Sequence, residues 1–243
     1  MAKHGYDVIA ASYDKLTAGD SDYGKWFGYI DGIARRHNIR RIVDLACGTG
    51  KMTKLLLDGG YDVVGVDNSE AMLAEARQKC RALFVCQDMA KLQLARPVDM
   101  AVCVCDGVNY IDKQSLVLFF RRVAANLMPD APFVFDYSTP YKLRQVLADN
   151  VFYVDDDDET LLWTNKLVGE TLCMNITLFT RLANGTYDRQ DERHKQWVLP
   201  RDYTQKCLDE AGFDVKQVTD DYGSAVTDKS LRWTFYCVKR RQE

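Results

Sequence analysis

The sequence predicts a doubly wound α/β fold, a mostly parallel sheet with helices on both faces, and three observations carry that prediction. Residues Arg41 to Lys51 read Arg-Ile-Val-Asp-Leu-Ala-Cys-Gly-Thr-Gly-Lys, an apolar, β-branched run that stops at Gly-x-Gly and leads into the helical pattern Met52, Leu55, Leu56. Three more short apolar runs, Asp62–Val66, Ala82–Gln87 and Met100–Cys105, are followed at once by Asp67, Asp88 and Asp106. Each therefore delivers a carboxylate at its C-terminal end. Finally, Val215–Val218 and Trp233–Val238 read as a closing antiparallel pair. Open α/β sheets bind ligands outside the carboxyl ends of their strands, so the glycine turn and the aspartates mark one edge of the sheet.

The chain has 243 residues, 47% hydrophobic and 28% charged, which fits one globular domain with an insertion better than two equal domains. Residues 1–40 hold two aromatic groups, Tyr6 to Tyr13-Asp14 and Tyr23 to Ile30, separated by the loop Thr17–Asp22. Trp26, Phe27, Tyr29, Ile30 and Ile33 fall at helical spacing, which is explained by core packing. The same segment also suits a lid, because Tyr13 and Tyr23 can wall a pocket and still present a hydroxyl. Arg35, Arg36, His37, Arg40 and Arg41 form a basic cluster at the end of the sheet away from the glycine turn, where cations complement a helix C-terminus.

At the turn itself, Gly48 and Gly50 carry no Cβ and can take positive φ, so a ligand can approach the backbone where the following helix presents its N–H groups. After the helix stop at Gly59-Gly60 and the second strand, Asn68 or Ser69 can cap a helix bearing Met72, Leu73 and Ala76. Ser115–Leu127 is an amphipathic helix with Leu116, Phe119, Phe120, Val123 and Leu127 on one face, and Pro132–Tyr137 is a fifth strand. The stretch 150–198 has no crossover pattern. Its short strands, and a type I′ hairpin signal at Asn184-Gly185, indicate an antiparallel β insertion that would overhang the ligand edge. The acidic run Asp155–Glu159 reads as a solvated loop within it.

The string Asp-Leu-Ala-Cys-Gly-Thr-Gly resembles the first motif of the Rossmann-like S-adenosylmethionine-dependent methyltransferases, with a resemblance running from about Tyr6 to Tyr137. It implies a seven-stranded Rossmann-like sheet with a C-terminal β-hairpin, and S-adenosyl-L-methionine as cofactor. Asp67 would then bind the ribose, Asp88 the adenine amino group, Met72 would line the adenine pocket and Tyr13 would lie near the methionine portion. Asp44, Ala46, Cys47, Gly48, Gly50, Asn68, Met89 and Cys105 complete the expected cofactor set. The domain reading that follows is an N-terminal helical lid (1–40), the cofactor-binding core (41–149 and 199–243) and the β insertion (150–198) over the active site.

For the acceptor, the family's usual Asn/Asp-Pro-Pro-aromatic motif for nucleobase amines is missing from Cys105–Ile111, and Cys105 follows Val104 rather than the proline of a pyrimidine C5 nucleophile. Asp106, Tyr110, Tyr23 and His194 are the candidate catalytic residues, with Trp26 expected near the acceptor. The expected reaction is methyl transfer to an oxygen or nitrogen of a small molecule. The alternatives are an RNA or protein acceptor, a nicotinamide oxidoreductase, which the third-glycine position held by Thr53 disfavours, and a non-catalytic cofactor-binding protein.

A formal charge of -3 and a pI near 5.7 give no electrostatic footprint for nucleic acid. The eight cysteines lack Cys-x-x-Cys spacing, so neither zinc nor a disulfide framework is expected, and Cys103 and Cys105 read as two positions on one strand face. No apolar run approaches the ~20 residues needed to span a bilayer. With no leader pattern at residues 1–7, a cytoplasmic location and a monomer or homodimer are the expectations.

Overall fold

A computed structural model of the chain describes residues 6–17, 19 and 21–241; residues 1–5 of the expected lid, 18 and 20 of its loop and 242–243 of the expected core lie outside the described residues. In order, the elements are α1 (Tyr13–Leu16), α2 (Tyr23–Arg36), β1 (Arg41–Leu45), α3 (Lys51–Asp58), β2 (Asp62–Asp67), α4 (Glu70–Lys79), β3 (Leu83–Cys86) and β4 (Met100–Cys103). They continue with α5 (Leu116–Ala125), β5 (Pro132–Ser138), β6 (Val151–Asp155), β7 (Glu159–Val168), β8 (Thr171–Arg181), β9 (Tyr187–Trp197), α6 (Arg201–Glu210), β10 (Phe213–Asp220) and β11 (Arg232–Lys239).

Seven strands form the main sheet in the order β10-β11-β5-β4-β1-β2-β3, parallel except for β11, which runs antiparallel to both neighbours. The fold is therefore the doubly wound, mostly parallel seven-stranded sheet expected. Strand order reverses between β1 and β4, and the crevice above such a switch point is where these sheets take ligands. Strands buried on both faces must be apolar throughout, as Met100–Cys103 and Pro132–Ser138 are buried along their whole lengths. One face packs on α5 and α6 through Phe119, Phe120, Val123, Phe133, Phe135 and Phe213; the other packs on α2 and α3 through Trp26, Ile30, Ile33, Ile42, Met52 and Leu56.

A second, antiparallel sheet, β6-β7-β8-β9, is interposed between β5 and α6. Its central strand β8 alternates, burying Leu172, Met174, Ile176 and Leu178. Ile9 and Leu16 of the N-terminal segment pack on Leu161, Ile176 and Leu178, while Leu143, Leu147 and Val198 pack on Leu172 and Met174.

Two local expectations need correction. β4 ends at Cys103, and Cys105 and Asp106 both take left-handed backbone (φ 61° and 65°), so the alternation that would put Cys103 and Cys105 on one face is broken. The Leu182–Thr186 turn is not type I′, because Gly185 has φ 82° while Asn184 has no positive φ. Gly185 N–H instead donates to Leu182 O, and the Asn184 side chain accepts from Thr186 N–H at 3.0 Å. The acidic run is exposed over Asp155–Asp158, as expected of a solvated loop, and also holds the N-terminal segment, since Lys15 pairs with Asp156 at 2.8 Å and Ser12 Oγ donates to Glu159 at 2.5 Å. Among the described residues no helix is long and apolar enough to cross a membrane, and no group of three or more His, Cys, Asp or Glu is placed to hold a metal.

Candidate active site

The site begins where β1 meets α3. Gly48 takes φ +52° and no atom lies within 4 Å of where its Cβ would stand, so the backbone of the turn is open to a ligand on that side. Gly50 (φ +76°) is a different glycine. A Cβ there would stand 3.0 Å from Ala76 Cβ, so Gly50 permits close packing of the turn on α4 and does not line the cavity. Next to Gly48 lies Asp67, at the end of β2. Its Oδ2 accepts from Gly48 N–H at 2.8 Å and its Oδ1 from Ser69 N–H at 2.9 Å. Each oxygen keeps a lone pair, so a vicinal diol could still donate to both. Burial pushes the Asp67 carboxyl above its ordinary range, and the amides oppose that shift. Asp88, at the end of β3, accepts from Ala90 N–H at 2.9 Å and remains partly exposed at the cavity edge.

One elongated cavity joins these groups to the N-terminal segment and β9. Of the expected cofactor residues, Tyr13, Ala46, Cys47, Gly48, Asp67, Asn68, Met72, Asp88, Met89 and Cys105 line it. Asp44 does not. It is fully buried beneath the turn, where Thr53 Oγ1 donates to its Oδ2 at 2.6 Å and its Oδ1 has no partner among the described residues. Burial raises the Asp44 carboxyl to about 7. Thr53, at the position where a dinucleotide fingerprint would carry its third glycine, thus anchors Asp44 instead.

Tyr23, Tyr110 and His194 line the far end, together with Tyr6 and Cys105. Tyr6 and Tyr110 share a hydroxyl–hydroxyl hydrogen bond of 2.6 Å, and the Tyr6 ring lies 4.4 Å from the His194 ring. Burial raises the phenols of Tyr6, Tyr23 and Tyr110, and the neighbouring Cys105 together with burial raises that of Tyr13. All four therefore remain hydroxyls able to donate. Burial likewise raises the Cys105 thiol.

Two further expectations fail here. Asp106 does not line the cavity; Arg232 Nη1 donates to its Oδ1 at 2.8 Å and Lys142 Nζ lies 3.6 Å from its Oδ2. Burial works against the Asp106 charge, but these two cations outweigh it and hold the carboxyl below its ordinary range. The left-handed backbone at Asp106 turns its side chain toward β11 and away from the ligand. Trp26 is also off the cavity, stacked on Tyr222 with centroids 5.2 Å apart and donating to Asp221 at 3.0 Å.

Asp136, invisible as a candidate in the sequence, fixes this loop. Fully buried on β5, it accepts from the amides of Cys105 (2.8 Å) and Asp106 (2.9 Å), from Tyr222 and from Arg232. The N-terminal segment closes the opposite wall. Asp14 accepts from Thr49 Oγ1 at 2.6 Å and pairs with Lys79 and with Lys51, while Ser69 Oγ donates to Asp7 at 2.8 Å. Tyr6, Thr49 and Lys51 were missed because no local pattern distinguishes them from surface residues; the one available signal was the repeated Tyr–Asp spacing at Tyr6-Asp7 and Tyr13-Asp14.

Comparison with known proteins places this geometry. Residues 42–130 match the model of a methyltransferase domain. A solved S-adenosylmethionine-dependent methyltransferase from Clostridium acetobutylicum ATCC 824 superposes with a TM-score of 0.87 at 32% identity, covering 98% of this chain and 100% of that one. A Geobacillus sp. (strain WCH70) protein, whose name says methyltransferase and gives no acceptor, is 30% identical over 97% of this chain and 99% of its own. The dTDP-3-amino-3,6-dideoxy-alpha-D-glucopyranose N,N-dimethyltransferase of Streptomyces fradiae is 30% identical over 86% of this chain and 84% of its own. Identity sustained over nearly the whole length, on the same sheet and around the same glycine turn, shows that the chain belongs to the S-adenosylmethionine-dependent methyltransferases.

Proposed function

We propose that the enzyme transfers the methyl group of S-adenosyl-L-methionine to an oxygen or nitrogen of a small-molecule acceptor bound at the Tyr6–Tyr110–His194 end of the cavity. The observation that carries this reading is the cluster of Tyr6, Tyr13, Tyr23 and Tyr110 hydroxyls beside Cys105, in a cavity that Lys51, Arg193 and Lys195 also line and to which the N-terminal segment contributes one wall. Such a chamber suits a small polar molecule, whose polar groups the tyrosine hydroxyls can meet. The Streptomyces fradiae relative, named for methylating an amino sugar nucleotide, supports a small acceptor.

The cofactor fits the other end. Asp67 takes the ribose hydroxyls, Asp88 the adenine amine with Met72 and Met89 against the base, and the open backbone at Gly48 admits the chain leading to the sulfonium. Bound there, the cofactor supplies an already activated methyl group. The protein's own work is alignment and exclusion of water, which can be worth ~7–11 kcal/mol of barrier.

The test is calorimetric titration with S-adenosylmethionine and S-adenosylhomocysteine, with NADH as control. It is followed by transfer of radiolabelled methyl to a panel of small amines and hydroxy compounds, with RNA and denatured protein as competing acceptors. Binding of both sulfur nucleotides and labelling confined to small molecules is the expected result. Labelling of RNA or protein would overturn the small-acceptor reading.

A further inference from the structure

We infer that Glu192 is a positioning residue that fixes His194 as the proton acceptor of the transfer, and that closure of the N-terminal segment completes this arrangement. The inference rests on the reading above that the acceptor binds beside His194.

Alternation along β9 places Glu192, His194 and Gln196 on one inward face, and all three are buried. The side chains of Glu192 and His194 are 0% and 1% exposed. A carboxylate so far from water persists only if its oxygens are satisfied. Here one oxygen, Oε1, faces His194 Nε2 at 2.8 Å, and the other, Oε2, accepts from the backbone N–H of Val8 at 2.9 Å. An ionised carboxylate can only accept, so the proton of the imidazole resides on Nε2. In the neutral imidazole, the form the proposal requires before transfer, Nδ1 then carries the lone pair, and it belongs to a ring that lines the cavity.

The donor to Oε2 comes from the same segment that supplies Tyr6, whose ring lies 4.4 Å from the imidazole, and Asp14, which ties that segment to Thr49 beside the glycine turn. Opening the segment removes the Val8 donor and the Tyr6 ring together. The base is therefore fully assembled when the cavity is closed.

An amine or alcohol must lose a proton as it gains a methyl group. As the bond from carbon to sulfur breaks and the bond from carbon to the acceptor forms, the acceptor's proton passes to His194 Nδ1. Glu192 stabilises the resulting imidazolium across the Nε2–H···Oε1 bond, the role a buried carboxylate plays behind a catalytic histidine. No other reactant is needed.

The test is ¹⁵N imidazole NMR of the full chain saturated with S-adenosylhomocysteine. The chain has three histidines, so the His194 signals are assigned by their loss in His194→Gln. Wild type should show one His194 tautomer, protonated at Nε2. In Glu192→Gln the carboxamide has one accepting atom for two donors, so the tautomer should mix or invert, or the Val8 amide should exchange with solvent at least tenfold faster. A wild-type His194 protonated at Nδ1 overturns the inference, whether or not the variant folds. So does a folded Glu192→Gln protein with the wild-type tautomer and exchange rate. Failure of wild type to bind S-adenosylhomocysteine would instead sink the cofactor assignment, and the tautomer would still be read on the free protein.

Discussion

At the cofactor end of the cavity, Asp67 is held by the amides of Gly48 and Ser69, which are 19 and 2 residues away in sequence. At the end proposed for the acceptor, Tyr6 meets Tyr110 across 104 residues, and Val8 meets Glu192 across 184. The first set of bonds exists as soon as β1 and β2 pair. The second exists only after the N-terminal segment and the second sheet have both docked, so their ordering entropy is charged to the closed state. One end is thus a preformed receptor and the other an assembled chamber. On the proposed assignment of the two ends, the cofactor would bind first and the acceptor site would be built around it.

The largest effect should come from breaking the element that joins the two ends. Arg232 is nearly buried against Asp106 and Asp136, and its guanidinium lies 4.8 Å from the Trp26 ring. Arg232→Met would leave buried Asp136 without its cation and Asp106 with Lys142 alone, a loss of ~3–5 kcal/mol for a broken buried pair. In a chain of this size that is a fall in Tm of roughly 10 °C. Differential scanning calorimetry measures it, and a change under 2 °C would mean that the loop at Cys105 and Asp106 does not depend on this pair.

Asp44 offers a pH test of the preformed end. Its folded-state value of about 7 lies above the ordinary aspartate value of 3.8, so the folded protein favours the protonated form. The stability associated with that proton is complete below about pH 4 and is lost as pH rises through 7. At ~1.36 kcal/mol per unit the loss is of order 4 kcal/mol at most. Asp44→Asn keeps an acceptor for Thr53 and does not titrate, so relative to wild type it should gain a few kcal/mol between pH 4 and pH 8. Urea midpoints at the two pH values check this, and parallel curves would contradict the burial argument.

The contrast between the two ends also governs what could be read from the chain. Asp67 and Asp88 were visible because a strand that stops at a carboxylate leaves a local trace, and Gly48 because a positive φ in a turn restricts the residue. Gly50 and Asp44 sit in the same motif but serve packing and anchoring. Their residue types could not separate those roles from ligand contact, because helix packing and a buried hydroxyl–carboxylate bond are settled in three dimensions. Asp106 was misread for a related reason. In the sequence it follows an apolar run as Asp67 does, yet β4 ends at Cys103 and the Asp106 side chain is turned toward Arg232 on a strand that pairs with β5 far along the chain. His194 was singled out in the sequence and lines the cavity, while its partner Glu192 was not singled out, since strand alternation predicts that both face one way without saying which way is in.

The smallest effect belongs to the assembled end. Tyr6→Phe removes one hydroxyl from the 2.6 Å bond with Tyr110 and leaves the ring on His194. A net hydrogen bond is worth ~0.5–1.5 kcal/mol, so stability should drop by about that much, measured by urea unfolding. A larger loss would show that the closed segment holds the whole fold together and not the acceptor chamber alone.

The central claim is that the two ends are energetically separate, with Asp67 answering for the cofactor. Calorimetric titration of S-adenosylhomocysteine into wild type, Asp67→Ala and Tyr6→Phe tests it in a single series. The account predicts that Asp67→Ala weakens binding by ~1.5–3 kcal/mol, roughly 10- to 150-fold, the range for a charge-assisted hydrogen bond. Tyr6→Phe should change it less than about threefold, since the lost hydroxyl lies at the other end. Unchanged affinity in Asp67→Ala, or an equal loss in both variants, would contradict it.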